Sequence, residues 1–145
     1  MQGRVEWMSI RPERKQPVRP VNHVHASTED GLQGDHPVKP HRQVTLISQE
    51  ALSEVAARLG TDRVDPAGTR RNIVLSGLDF SQLEGASIRI GGAVVEITGI
   101  CHPCELMNKN LGEGARAAMA GYSAGLTARV VQDGDIAIGD AVVVT

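Results

Sequence analysis

Apolar and polar positions along this chain alternate with a period of two in many short runs, and only once do apolar residues recur at helical spacing. Gly3–Ile10, Gln43–Ile47, Arg71–Leu75, Ser87–Ile90, Ala93–Thr98, Leu126–Val131, Ile136–Ile138 and Ala141–Val144 read as strands. Gly91-Gly92 separates two of them and predicts a hairpin, because both turn positions can take positive φ. Asp133-Gly134 and Gly139-Asp140 repeat the pattern, so hairpins are also expected at the C-terminal end. The helical exception is Leu52, Val55, Ala56 and Leu59, with Ser48 as N-cap, Glu50 in the first turn and Gly60 as the stop. A short helix between Gly112 and Met119 and a single turn within Leu78–Leu83 complete the pattern. Successive strands lack the intervening helices that a parallel α/β sheet needs. The expected fold is mostly β: a closed or partly open antiparallel β-barrel with one clear helix and one or two short helices, spanning 1–145 as a single domain.

Pro12, Pro17 and Pro20 break the first strand pattern, and a stretch rich in Pro, His and Gly runs from Val18 to His41. Its length favours a functional loop over a simple connector. Hydrophobic residues make up 41% of the 145 residues but aromatics only 2%, so the core has to be aliphatic and base-stacking platforms are scarce. A formal charge of −2 excludes a bulk polyanion partner, and no nucleic acid is expected. Arg11, Arg14, Lys15 and Arg19 nevertheless gather in one stretch, as a local phosphate site or as a soluble arm. No run approaches the roughly 18 apolar residues of a membrane span, and the opening residues lack the apolar run of a signal peptide. A cytoplasmic protein with no membrane partner is expected.

Both cysteines fall in Cys101-His102-Pro103-Cys104, directly after the strand at Ala93–Thr98. So short a loop does not staple a fold, which leaves three chemical readings beside that of two inert thiols. The pair could exchange with a disulfide. It could supply two zinc ligands, with others from His23, His25, His36, His41 or His102. Alternatively, Cys104 acts alone as a nucleophile, persulfide carrier or soft-metal ligand, with Pro103 stiffening its approach and Cys101 beside it. Two further groups are candidates. Arg70-Arg71-Asn72 combines guanidinium forks with an amide suited to an anion or heterocycle, and Gly34-Asp35-His36-Pro37 with His41-Arg42 could share its pocket. Neither a dinucleotide fingerprint nor a P-loop is present.

In their order, Gly31-Leu32-Gln33-Gly34-Asp35-His36, Arg42-Gln43-Val44-Thr45-Leu46, Arg71-Asn72-Ile73, Gly91, Cys101-His102-Pro103-Cys104 and Gly134-Asp135-Ile136-Ala137-Ile138-Gly139-Asp140 resemble the MOSC domain. That module is found at the C-terminus of molybdenum cofactor sulfurases and in small stand-alone relatives. The resemblance implies a strand-rich barrel in which Cys104 carries persulfide sulfur or ligates molybdenum, with Cys101 a second thiol where many larger relatives have an arginine. It also implies that Gly34, Asp35, His36, Arg42, Arg71 and Asn72 line a cleft for a molybdenum-pterin cofactor. The implied activity is that of a sulfur transferase or a component of a molybdenum-dependent oxidoreductase. The chain has no aminotransferase-like, pyridoxal phosphate-dependent domain of the kind that generates the sulfur, and no iron-sulfur or flavin module. A cysteine desulfurase or another sulfur or electron donor would therefore be its partner. The alternatives are a noncatalytic module that binds a small anion or a protein, and a zinc-binding structural domain.

Overall fold

The structure, a computed structural model, describes residues 2–37 and 39–145, so Met1 and Val38, which falls in the expected loop, lie outside the described residues. The strands are β1 (Gln2–Ile10), β2 (Arg19–Pro20), β3 (His23–Ser27), β4 (Gly31–Leu32), β5 (Val44–Ser48), β6 (Ile73–Ser76), β7 (Ser87–Ile90), β8 (Ala93–Ile100), β9 (Leu126–Gln132), β10 (Gly134–Ala137) and β11 (Ala141–Val144). Seven of these close a barrel in the order β1-β11-β7-β8-β9-β5-β6 and back to β1. Every barrel pairing is antiparallel except β5 with β6, which are parallel, so the barrel is mixed and not wholly antiparallel as expected. The helix α1 (Gln49–Leu59) is the crossover that a parallel pair requires. Ser48 Oγ accepts from the Ala51 N–H at 3.0 Å, and Gly60 ends the helix in the left-handed region at φ 71°.

Pleating divides the aliphatic residues between two cores. Leu46, Ile73, Leu75, Val95 and Leu126 point into the barrel, whereas Ile47 and Val74, one position along, face outward against Leu52 and Val55 of α1. Both faces of β5 and β6 are thereby covered, as parallel strands demand. In β1 the register shifts between Val5 and Trp7, so Val5 and Met8 are buried inside while Trp7 packs outward against the helical layer. The outer layer is completed by α2 (Leu106–Leu111) and α3 (Ala115–Ala118), through Met107, Ala115 and Met119.

The Gly91-Gly92 hairpin forms between β7 and β8. The two C-terminal hairpins do not. β10 leaves the barrel and pairs with β3, and β3 with β4, in a separate three-stranded sheet, while β11 returns to pair with β1 and β7. The cause is the 18–41 stretch, which is partly strand: in β3 the apolar Val24 and Ala26 alternate with the exposed His23 and His25, and the face they form is buried with Ile136 of β10. Among the described residues no helix is long and apolar enough to cross a membrane.

Candidate functional site

The stretch after β1, the turns before β5 and β6 and the stretch after β8 surround a cleft of about 830 Å³. β8 and β9 deliver the thiols. Ile100 pairs with Leu126, the Cys101 N–H donates to the Gly125 carbonyl at 2.9 Å, and the next residues leave the ladder. Cys101 is 1% exposed, whereas Cys104 is exposed and lines the cleft. The Cys104 carbonyl accepts from the Met107 N–H at 3.0 Å, which joins it to the start of α2.

Seven of the other described lining side chains are cationic, and Pro37, Leu106 and Met107 supply the apolar part. Arg11, Arg14 and Lys15 follow β1, Lys39 and Arg42 come from the turn before β5, and Arg70 and Arg71 precede β6. His36, His41 and His102 complete the polar wall, and no carboxylate stands among the described residues that line it. In a chain of net charge −2 this is a marked local excess of positive charge.

Arg71 is buried. Its Nε donates to the Ala124 carbonyl at 2.9 Å, one Nη to Thr69 at 3.2 Å and the other to Cys101 at 2.8 Å. Three of the five guanidinium hydrogens are thus engaged, which leaves one on each terminal nitrogen. Burial pulls its pKa below the ordinary arginine value; Cys101 acts against that shift, Arg42 and Arg11 add to it, and Cys104 opposes it. Arg70 is lowered in the same way, by burial and then by Arg11, with Cys104 and Asp35 opposing. Arg70 caps a short 3₁₀ turn in the left-handed region, at φ 57°, and reaches back to the carbonyls of Gln16 and Glu13, tying the basic loop to the cleft. Cations crowded against one another are relieved by an anion.

Of the residues singled out in the sequence, Cys104, His36, Arg42 and Arg71 meet at this cleft, with Cys101 sealed just beneath it. Gly34, Asp35 and Asn72 do not line it. The Asp35 carboxylate holds Arg11 Nη2 at 2.8 Å, with side-chain exposures of 2% and 5%, and accepts from the Arg11 backbone N–H as well. Asn72 is buried: its Oδ1 accepts from the Thr45 N–H at 3.0 Å and from Thr45 Oγ1 at 3.1 Å, and its Nδ2 donates to the Ser9 carbonyl at 3.1 Å. Both residues brace the wall from behind. Gly34 and Asp35 line a neighbouring depression of about 470 Å³ with Glu29 and Asp30. His36 Nδ1 donates to the Arg11 carbonyl at 2.7 Å, which leaves Nε2 free in the neutral ring. Arg11, Arg14, Lys15, Lys39 and His102 are the lining residues that sequence reasoning did not assign to the cleft, although the basic run from Arg11 had marked the first three.

No three His, Cys, Asp or Glu side chains converge to hold a metal among the described residues. His25, a zinc candidate, instead donates from Nδ1 to Asp135 at 2.7 Å on the outer face of β3.

Fold and cleft together define a β-barrel protein with an anion-attracting pocket and one accessible thiol. Residues 33–143 match the model of the MOSC domain, and the chain belongs to that family, which is linked generally to molybdenum-cofactor and sulfur biology. Its fold is shared with the YUAD protein from Bacillus subtilis, at 20% identity and a TM-score of 0.86, covering 98% of this chain and 94% of that one. YiiM from Geobacillus stearothermophilus is 19% identical with a TM-score of 0.78, covering 99% and 75% of the two chains. YiiM from Escherichia coli, also at 19%, gives 0.73 with 98% and 69% covered. No curated protein matches the chain.

Proposed function

We propose that this protein handles sulfur for the molybdenum cofactor, with Cys104 as the reacting atom. The observation that carries this reading is the single exposed thiol in a cleft lined by cations and by no carboxylate among the described residues. The thiolate is the nucleophilic form of cysteine, and a persulfide, like a thiolate, is best accommodated beside positive charge. In the transfer, the Cys104 thiolate attacks the outer sulfur of a donor persulfide. One sulfur–sulfur bond forms, the donor's breaks, and the donor leaves as a thiolate, so no external oxidant is consumed. A cysteine desulfurase is a donor of that class.

The residues present also fit an anionic pterin cofactor. A cleft of about 830 Å³ is in the range of small-ligand sites. Arg42 and the two free N–H groups of Arg71 would hold the phosphate, and His36 Nε2 offers an acceptor to the heterocycle. Cys104 would be the soft ligand for molybdenum, which supplies two-electron redox and oxygen- or sulfur-transfer chemistry when bound. Asp35 and Asn72 serve as positioning residues, fixing Arg11 and the start of β6 behind that wall. A site with one exposed thiol and, among the described residues, no cluster of three protein ligands favours this reading over a zinc domain.

The test is the intact mass of the protein after anaerobic incubation with a competent cysteine desulfurase and cysteine. One added sulfur on Cys101→Ala, whose one remaining thiol is Cys104, and none on Cys104→Ser is expected. Equal loading of both chains, or loading of neither with the donor shown active, overturns the reading. A noncatalytic anion binder would keep phosphate affinity in Cys104→Ser and take up no sulfur in either chain.

A further inference from the structure

Cys101 is a buried nucleophile to which the proposal above gives no task. We infer that Cys101 is the resolving thiol of the site: it attacks the persulfide on Cys104, releases hydrosulfide and leaves a Cys101–Cys104 disulfide. This rests on the reading of Cys104 as a sulfur carrier and adds the fate of the sulfur it carries.

The placement of the two thiols supports this. Cys101 ends the β8–β9 ladder, pinned by its N–H to Gly125 and by its carbonyl to the Arg71 guanidinium. It is 1% exposed, so reagents from bulk solvent do not reach it. The electrophile available to such a thiol is one that the chain itself presents. Cys104 lies three residues on, in a stretch outside regular structure whose His102 and Cys104 are exposed. The exchange requires the Cys104 side chain to swing from the donor toward Cys101, while Cys101 stays fixed. Arg71 bridges the two: it holds the Cys101 residue by the carbonyl and lines the cleft that Cys104 enters. A guanidinium there offsets negative charge on either sulfur during the exchange.

The step balances. The Cys101 thiolate attacks the inner sulfur of Cys104–S–SH, the bond to the outer sulfur breaks, and its electron pair leaves with hydrosulfide. The transferred sulfur is reduced to the sulfide level while the two cysteines are oxidised to the disulfide. A dithiol reductant of the thioredoxin class then restores both thiols. The anaerobic protein would thus deliver sulfur as hydrosulfide inside the cationic cleft.

The test uses the whole chain and a stoichiometric desulfurase preloaded as its persulfide, freed of excess cysteine by gel filtration, with no other thiol present. Released hydrosulfide is measured together with the non-reducing intact mass and a peptide map. The wild type is expected to release about one hydrosulfide per chain, as the exchange stoichiometry requires, to end lighter than the reduced protein by two hydrogens, and to map a Cys101–Cys104 peptide. Cys101→Ser and Cys101→Ala should instead stop one sulfur heavier and release hydrosulfide only when a small thiol is added. A wild type that accumulates the same stable persulfide as these variants overturns the inference while leaving the carrier reading intact. Absence of sulfur on every chain overturns both. In a separate arm, oxidised glutathione should give an internal disulfide in the wild type and a lasting mixed disulfide on Cys104 in the variants. A lasting mixed disulfide on the wild type would show that Cys101 cannot reach its neighbour. The wild-type peptide map decides the matter even if a Cys101 variant does not fold.

Discussion

Replacing Asp35 by Asn removes one charge from a pair that is almost fully out of water, with side-chain exposures of 5% for Arg11 and 2% for Asp35. Asparagine keeps the shape and one acceptor oxygen for the Arg11 N–H groups, but it leaves the guanidinium buried among Arg70 and Arg71 without a counter-charge. Breaking a buried pair from one side costs about 3–5 kcal/mol, and the retained acceptor puts this variant near the lower end. With a urea dependence of about 2 kcal/mol per molar, the unfolding midpoint should fall by about 1.5 M. Arg11→Met removes the other charge while keeping most of the bulk. The two changes combined should cost less than their sum by at least about 2 kcal/mol, since the second mutation removes the partner that the first left stranded. A midpoint shift under about 0.5 M for Asp35→Asn, or strict additivity in the cycle, would refute the claim that this pair braces the cleft wall.

Three further outcomes follow from the same geometry. Gly125 has φ 98°, and a Cβ there would lie 2.2 Å from the Leu46 carbonyl oxygen, so Gly125→Ala should lower the unfolding free energy by about 3 kcal/mol or more in a denaturant titration. It should also loosen Arg71, which bonds to the adjacent Ala124 carbonyl. Tyr122 is the sole tyrosine, and its hydrogen bond to Glu84 at 3.1 Å holds the phenol above its ordinary pKa, followed in effect by the nearby carboxylate charge. The protonated phenol is the favoured form, so its contribution is present below the ordinary value and lost as pH rises through the folded one. Phenolate absorbance should therefore titrate late, and Glu84→Gln should bring the inflection back down. Inorganic phosphate bound in the cleft should raise the thermal midpoint, adding about 2.7 kcal/mol to the unfolding free energy at a concentration one hundred times its Kd. Arg42→Ala and added sodium chloride should each weaken the effect.

The elements that local rules describe were legible before the structure. Ser48 and Gly60 bracket α1 as their side-chain and backbone preferences require, and Gly91-Gly92 forms its hairpin. Partner choice was not legible, because it is decided far along the chain. Asp133-Gly134 has hairpin composition, yet the strand after it pairs with β3, whose apolar Val24 and Ala26 need cover. Asp133 Oδ1 instead accepts from the Thr28 N–H at 2.7 Å. The parallel β5–β6 pair could have been inferred from Ile47 and Val74, which are apolar on the face turned away from the barrel. α2 escaped notice because it spans six residues without a side-chain N-cap and is held by Met107 in the outer core. At the site, the residue types were read from the sequence but not their depth. Asp35 and Asn72 share the motifs of Arg42 and Arg71, yet they turn inward because Arg11 and Thr45 stand behind them as partners. Arg70 is legible as part of the Arg70-Arg71-Asn72 anion candidate, but its left-handed backbone, which aims it at Gln16 and Glu13, is set by the turn before it.

The most direct measurement compares the alkylation rates of the native protein by iodoacetate and by iodoacetamide. The two reagents share a leaving group and differ in charge, and Cys104 is the one exposed thiol they meet. If this thiol reacts within a cationic cleft, the ratio of the anionic to the neutral rate should exceed that of free glutathione by about tenfold or more at low salt. The ratio should collapse toward that of glutathione in Arg42→Ala/Arg70→Ala and in high salt. A ratio equal to or below that of glutathione in the wild type would contradict the account at its centre.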